Sequence, residues 1–281
     1  TNGKMYWSSG PQWSSIRRAN LDGSNVEVLP FGTVNTPFTQ FADQIALDPA
    51  LNRIYWTNGS WMYSAYTHLS GYQAWIYTTT SFQGIALDPA GGKVYLTTNY
   101  NAKIQRANLN PDYPNLETLI GNRTGLVNPW SLAFDPVGRF LYWTDLGLNA
   151  IHRVNLEGEP LFESIPNRGN GVAVDPVSTW LLYWTQGFYT PGSPGVLRMT
   201  FPILSSVQNL TTVGTDPPFG IAIDSSAQKM YWSGSESGSY KIFRADVNGS
   251  NVESLVNNSI AYGISLDVAA GKMYWNNHRA N

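Results

Sequence analysis

One segment recurs along this chain almost word for word. It stands as "GIALDPAGGKVYLTTN" from Gly84, as "SLAFDPVGRFLYWTD" from Ser131 and as "GIAIDSSAQKMYWSG" from Gly220. A unit repeated at regular spacing is one that cannot bury its own apolar face and needs copies of itself beside it. Tyrosine-led pairs mark the period: Tyr6-Trp7, Tyr55-Trp56, Tyr95-Leu96, Tyr142-Trp143, Tyr183-Trp184, Tyr231-Trp232 and Tyr274-Trp275. Successive tyrosines lie 49, 40, 47, 41, 48 and 43 residues apart.

Each period divides into four short apolar pieces bounded by Gly, Pro, Asn or Asp, the pattern of short strands joined by turns. The first piece is wholly apolar and ends in aspartate, at Asp48, Asp88, Asp135, Asp175, Asp224 and Asp267. The second alternates, as in "KVYLTT". The third reads "IRRANLDG", "IQRANLN", "IHRVNLEG", "VLRMTF" or "IFRADVNG", with a degenerate "MYSAY" in one copy. The fourth is a patch such as "VEVL", "LETL", "FESI" or "VESL". Four antiparallel strands every 40 to 49 residues is the arithmetic of a propeller blade. The expected fold is all-β: six four-stranded blades forming a single domain over residues 1–281. The inner strand at Gly263–Asp267 completes the blade begun at the N-terminus, so the chain ends pair and close the ring. "KMYW" occurs at both ends, one second strand too many, and the sequence leaves open which copy takes the slot.

The stretch "LYWTDLGLNAIHRVNLEGE", Leu141 to Glu159, resembles a repeat of the YWTD class of six-bladed propellers in low-density-lipoprotein-receptor ectodomains. The likeness runs through every blade and implies that fold, with a protein or peptide as the ligand. Two departures stand out. The final aspartate of the motif, which helps tie blades together in that family, remains only as Asp145, with Ser9, Asn58, Thr98, Gln186, Gly234 and Asn276 at the equivalent places. The family's flanking cysteine-rich modules have no counterpart, since the chain has no cysteine.

Charged residues make up only 13 % of the chain, the net charge is −2, and no basic stripe forms. That argues against a nucleic-acid partner, and no apolar run is long enough for membrane insertion. His68, His152 and His278 fall at unrelated places in the repeat, and His152 reads as a solvent-facing filler. No Ser-nucleophile elbow or complete phosphate loop is present, so catalysis is not expected. The six aspartates have two readings: caps of the tight turns that follow, four of them directly before Pro, or a channel-lining calcium ring. The turn reading needs nothing else, so no cofactor is expected. The arginines Arg18, Arg106, Arg153, Arg198 and Arg244 recur with the repeat and read as scaffold. Leu96 reads as one blade's departure from a set of packed indoles.

A ligand breaks the symmetry of a repeat, so function is sought where blades differ. Five residues before each inner-strand aspartate stand Asp43, Gln83, Trp130, Asn170, Phe219 and Tyr262, expected to ring the channel mouth. The connections between second and third strands add Trp13, Trp61, Tyr100, Phe188, Tyr189 and Tyr240 to the same face. Tyr and Trp bury large areas at small entropic cost, which suits a binding face. The expected function is therefore non-catalytic presentation of this aromatic face, by a secreted or extracellular protein, to a protein or peptide. A glycan is nearly as well served, as in a lectin, and a channel-centred metal-assisted hydrolase or lyase is the third reading. Five Asn-x-Ser/Thr sequons, at Asn58, Asn122, Asn209, Asn248 and Asn257, are compatible with a secreted glycoprotein.

Overall fold

The computed structural model describes residues 15–29, 43–68, 70, 73–121, 125–156, 163–166, 169–175, 177, 181–187, 194–200, 207–212 and 219–277. Among them the regular structure is β throughout, in six four-stranded antiparallel sheets that form a six-bladed propeller. Blade I consists of β3 (Ile45–Asp48), β4 (Arg53–Asn58), β5 (Trp61–Tyr66) and β6 (Gln73–Tyr77). Blade II consists of β7 (Phe82–Asp88), β8 (Lys93–Thr98), β9 (Lys103–Asn108) and β10 (Glu117–Ile120). Blade III has β11 (Pro129–Asp135), β12 (Phe140–Asp145), β13 (Ala150–Asn155) and β14 (Glu163–Ile165). Blade IV has β15 (Val172–Val174), β16 (Leu181–Gln186), β17 (Gly195–Thr200) and β18 (Gln208–Thr211). Blade V has β19 (Ile221–Asp224), β20 (Lys229–Glu236), β21 (Ser239–Asp246) and β22 (Glu253–Asn257).

Blade VI joins the two ends of the chain. Its inner strands are β23 (Ala261–Asp267) and β24 (Lys272–Asn277), and its outer strands are β1 (Ser15–Asn20) and β2 (Glu27–Leu29). The β24–β1 ladder runs without a break from Ser15↔Asn277 to Asn20↔Lys272. The C-terminal "KMYW" therefore fills the second-strand slot; the N-terminal copy lies outside the described residues. The register also corrects one alignment. Asn277 pairs with Ala261 as Asp145 pairs with Pro129, so Asn277, not Asn276, stands where the motif's last aspartate would.

Side chains alternate along a strand, so the two residues of each Tyr-Trp pair point into different gaps between blades. Tyr55 enters the core shared with blade II while Trp56 enters the core shared with blade VI. Tyr142 and Trp143 divide the same way between blades IV and II, and Tyr231 and Trp232 between blades VI and IV. One dipeptide thus stitches both neighbours of its blade. Leu96 is fully buried in the gap between blades I and II, a gap that also holds Trp75 and Phe82. A bulky ring from the neighbouring blade shares the space that an indole takes elsewhere.

His152 is not a solvent-facing filler. It lies directly across from Trp143 on the adjacent strand, is 2 % exposed, and stacks on the indole with ring centroids 5.3 Å apart. Tyr63 on Trp56 and Phe243 on Trp232 make the same cross-strand stack at 5.6 and 5.5 Å. Burial lowers the imidazole's pKa, with Asp145 opposing, so the ring is held neutral.

The repeated polar residues hold the scaffold together. Arg18, Arg106 and Arg244 each reach the tyrosine across from them and pair with a carboxylate on the outer strand, Glu27, Glu117 and Glu253. Arg18, Arg198 and Arg244 also donate to a carbonyl of the next blade, at Thr67, Val247 and Leu21. Blade I has Ser64 in the arginine slot, and there Arg53 from β4 covers Trp75 and Tyr66 instead. The inner-strand aspartates cap the turns that follow them. Asp48 accepts the N–H of Ala50 and Leu51, Asp135 those of Val137 and Gly138, and Asp88, Asp175, Asp224 and Asp267 accept from Gly91, Val177, Ala227 and Ala270.

A neutral buried imidazole makes stability fall with acid. Below the unfolded histidine pKa of about 6.5 the unfolded chain binds a proton that the folded one resists. Replacing His152→Phe, which keeps the stack seen at Phe243, should remove that component. Urea denaturation from about pH 7.5 to about pH 5 should show wild type losing ground to the variant as pH falls.

Candidate functional site

Three inner strands open at the channel mouth with a bulge. The register shifts between Phe82 and Ile85 in β7, between Pro129 and Leu132 in β11, and between Ala261 and Ile264 in β23. The residues inside these bulges are Gln83, Trp130 and Tyr262 with their followers Gly84, Ser131 and Gly263. A bulge re-aims side chains at the end of a ladder, which is how the repeat presents its variable residues.

The polar residue after each Tyr-Trp pair, or after Tyr95-Leu96, fills the gap that a bulge leaves. Thr97 accepts the N–H of Gly84 in its own blade at 2.7 Å and donates to the carbonyl of Trp130 in the next at 2.7 Å. Thr144 links Ser131 N–H to Asn170 C=O, and Thr185 links Gly171 N–H to Phe219 C=O. Thr57 links Gln44 to Gln83, and Ser233 links Gly220 to Ala261. The relay closes at Asn276, whose amide oxygen accepts Gly263 N–H at 2.6 Å while its nitrogen donates to Asp43 C=O at 3.0 Å. All six relay residues are buried. Inner strands then lie so close that a Cβ on Gly171 would stand 1.9 Å from the Phe219 carbonyl oxygen.

This relay places the six mouth positions in one ring. Asp43, Gln83, Trp130, Asn170 and Phe219 each give their carbonyl to the preceding blade, and Tyr262 follows Ala261, which does the same. Gln83 is buried, and the other five are half-buried. The rings of Phe219 and Tyr262 meet across the seam of blades V and VI with centroids 4.3 Å apart. Gln44 Nε2 donates to Tyr262 C=O at 2.7 Å and draws blade VI against blade I.

Asp43 has a second role. Its Oδ2 accepts the N–H of Gly59 at 3.1 Å, tying the channel-mouth segment to the β4–β5 turn. Asp145 makes the mirror-image tie in blade III: its carboxylate sits at the end of β12 and accepts N–H groups from Val127, Asn128, Gly147 and Leu148. Burial pushes the Asp43 carboxyl up to about 6, with only the Gly59 N–H pulling it back.

The loop aromatics separate into kinds. Tyr100 is 83 % exposed at the tip of the β8–β9 turn. Trp61 is half-buried at the start of β5, in contact with Tyr63 at 6.2 Å and with Tyr77 at 4.8 Å. Tyr240 is half-buried within the long β20–β21 hairpin. Trp13, Phe188 and Tyr189 lie outside the described residues. Sequence reasoning missed Tyr77, which is 58 % exposed and packs on Trp61 from the outer strand. It also missed the relay, although Thr, Ser or Asn stands at all six places and each can both donate and accept.

The inner-strand aspartates are engaged in the turn bonds just described, and those turns lie at the opposite end of each inner strand from the mouth. Among the described residues no three His, Cys, Asp or Glu side chains gather as a metal site. No helix among them is long and apolar enough to cross a membrane.

The low-density lipoprotein receptor repeat class B profile matches residues 228–262, the second and third strands of blade V through to the start of β23. Six blades repeat its strand order. The chain is a YWTD-type six-bladed β-propeller, similar to those of the low-density-lipoprotein-receptor class. Its similar proteins include the human low-density lipoprotein receptor-related protein 5-like protein, 31 % identical over 159 residues, or 55 % of this chain and 59 % of that protein. The mouse low-density lipoprotein receptor-related protein 5 is 35 % identical over 97 residues, 34 % of this chain and 6 % of that protein. The low-density lipoprotein receptor-related protein 1 of Pyricularia oryzae is 28 % identical over 193 residues, 56 % of this chain and 60 % of that protein. The chain therefore spans well under two thirds of each relative's length. Among solved structures, a chain of a nidogen/laminin complex superposes with TM-score 0.67 at 21 % identity, covering 90 % of this chain and 97 % of that one. A putative TolB from Agrobacterium tumefaciens gives TM-score 0.75 at 13 % identity, covering 97 % of this propeller and all of that one. At those identities the likeness is one of fold.

Two predictions follow from the mouth's hydrogen bonds. Thr144→Val removes the hydroxyl that bridges the Ser131 N–H and the Asn170 C=O and leaves the Ser131 N–H unsatisfied, so stability should fall by about 1–3 kcal/mol in urea denaturation. Asp43→Asn should act through pH. A carboxyl whose folded pKa of about 6 exceeds its unfolded value of about 3.9 opposes folding when ionised. That penalty is complete above about pH 6 and fades as pH falls toward 4. The variant should be the more stable protein at neutral pH, with its advantage gone near pH 4.

Proposed function

We propose that this propeller is a non-catalytic extracellular binding domain that takes a protein or peptide ligand on the channel-mouth face. The observation that carries the reading is the division of labour along the repeat. Residues common to the blades are consumed by the scaffold: tyrosines and tryptophans in the gaps, arginines at the outer strands, aspartates in the far turns, hydroxyls in the relay. What differs from blade to blade gathers at the mouth as Trp130, Phe219 and Tyr262 with the polar Asp43, Gln83 and Asn170. Half-buried rings on a rigid frame can anchor a partner with little ordering cost. The similar proteins are receptor-related proteins, which supports a binding role and an extracellular setting.

The test uses a random dodecapeptide library displayed on phage, panned against the wild-type protein. Selected peptides, synthesised singly, should bind at least about 10-fold more weakly to a Trp130→Ala/Phe219→Ala/Tyr262→Ala variant that still melts cooperatively. Peptides that bind both proteins alike would overturn the reading, as would a glycan array giving mouth-dependent capture where peptides give none.

A further inference from the structure

The phrase Lys-Met-Tyr-Trp is written three times: in β20, in β24 and at residues 4–7. Six blades have six second strands, and described residues fill all of them. Residues 4–7, which lie outside the described residues, are therefore a second-strand sequence in excess. Their context says which blade they fit. Gly3-Lys4-Met5-Tyr6-Trp7-Ser8-Ser9 matches Gly271-Lys272-Met273-Tyr274-Trp275-Asn276-Asn277 residue for residue up to the tryptophan. The segment also comes just before β1 in the chain, and β1 is the strand that β24 pairs with in blade VI.

The slot between β23 and β1 makes a demand at each position of its strand. Gly271 stands at φ +64, which favours glycine, and gives its carbonyl to Leu21 N–H at 3.0 Å. Lys272 Nζ donates to Asn20 Oδ1 at 2.5 Å. Met273 and Trp275 are fully buried in the core shared with blade V. Tyr274 is 2 % exposed in the core shared with blade I, with the Arg18 guanidinium over its ring. Asn276 carries the relay from Gly263 to Asp43. Gly3, Lys4, Met5, Tyr6 and Trp7 are the same five residues in the same order, and Ser8 brings the hydroxyl that Ser233 uses for the relay in blade V.

We propose that the second-strand slot of blade VI is a strand-acceptor site that takes residues 4–9 in exchange for Lys272–Asn277. The incoming segment lies between two strands and completes the sheet, as in donor-strand complementation. Direction and reach agree with this. β24 runs antiparallel to β1, and a hairpin that pairs Ser9 with Ser15 enters the slot in the same sense. Residues 10–14 form its loop, begun by the turn residues Gly10 and Pro11, and lie in length between the 146–149 and 187–194 loops of blades III and IV. Only one copy enters at a time. β24 continues from β23 and leaves the ring to close against β1, whereas residues 4–9 continue into β1 and leave it to close against β23. Both rings bury the same methionine, tyrosine and tryptophan, so the propeller stays shut when either end of its chain is withdrawn. None of this depends on what the mouth binds.

Variants of the full chain test the site. Met273→Asp/Trp275→Asp bars β24 from the slot, Met5→Asp/Trp7→Asp bars the N-terminal copy, and the quadruple variant bars both, because an unpaired carboxylate is not tolerated in an apolar gap. In urea denaturation each double variant should keep one cooperative transition and the quadruple variant should lose it. Such non-additivity is what two segments serving one place produce. Occupancy can be read directly, since the chain has no cysteine. Ala261 faces Asn277 across the slot, so Ser9→Cys with Ala261→Cys should form a disulfide only when residues 4–9 lie beside β23. Tryptic peptides should show that link in the Met273→Asp/Trp275→Asp background and not in Met5→Asp/Trp7→Asp. If Met273→Asp/Trp275→Asp unfolds as completely as the quadruple variant, the acceptor site is overturned. A Met273→Asp/Trp275→Asp protein that folds without the link overturns it equally.

Discussion

The structure depends on a hydroxyl or amide that faces two ways. At the third position of each Tyr-Trp segment, Tyr95-Leu96 included, a buried Thr, Ser or Asn accepts an N–H from its own inner strand and donates to a carbonyl of the next. A bulged strand end would otherwise bury an unpaired donor in one blade and an unpaired acceptor in its neighbour, each costing about 1–3 kcal/mol. Because one group serves both, the strand's internal irregularity can be satisfied only if the adjacent blade is in place. Local geometry and ring closure become the same condition. The chain meets it last between Asn276 and Asp43, residues far apart in sequence, so the final relay forms only when both ends of the propeller have arrived.

The same economy governs the apolar core. Alternation along β4, β8, β12, β16, β20 and β24 sends tyrosine one way and its neighbour the other, so the second strand of every blade belongs to two cores at once. Arginines extend the coupling to the rim by crossing to the next blade's carbonyls. A scaffold braced this heavily at repeated positions asks less of the unrepeated side chains, which is the physical reason for reading irregularity as the mark of a binding face.

Much of this was legible from the sequence because it is written six times. Spacing located the four strands of each blade, and Asp followed by Pro gave the capped turns. Apolar inner strands placed Asp43, Gln83, Trp130, Asn170, Phe219 and Tyr262 at one level. What escaped were the features that need a partner strand to be seen. His152 reads as solvent-facing when its equivalents Arg17 and Gln105 are weighted over Phe243, the one whose ring stacks on an indole one strand away as His152 does. Leu96 looks like a packing loss until Trp75 is found in the same gap. Asn276 was mistaken for the motif's last residue because two asparagines stand in a row; the count of three residues from Tyr274 and the pairing to Ala261 both give Asn277. The tie between Asp43 and Gly59 joins residues of one blade, yet no spacing rule announces it.

That tie has an energetic consequence. In blade III the motif's aspartate, Asp145, lies on the second strand and is saturated by four N–H groups, which leaves it no chemistry to offer a ligand. In blade I the second strand ends in Asn58, and the carboxylate comes from the opposite side of the same junction, from Asp43 at the start of the inner strand. Moving the acid across the junction keeps one structural bond, to the Gly59 N–H, and burial raises its pKa to about 6. A purely structural acid would gain from being saturated, as Asp145 is. An acid held by one bond and desolvated by burial costs the fold stability when it is ionised.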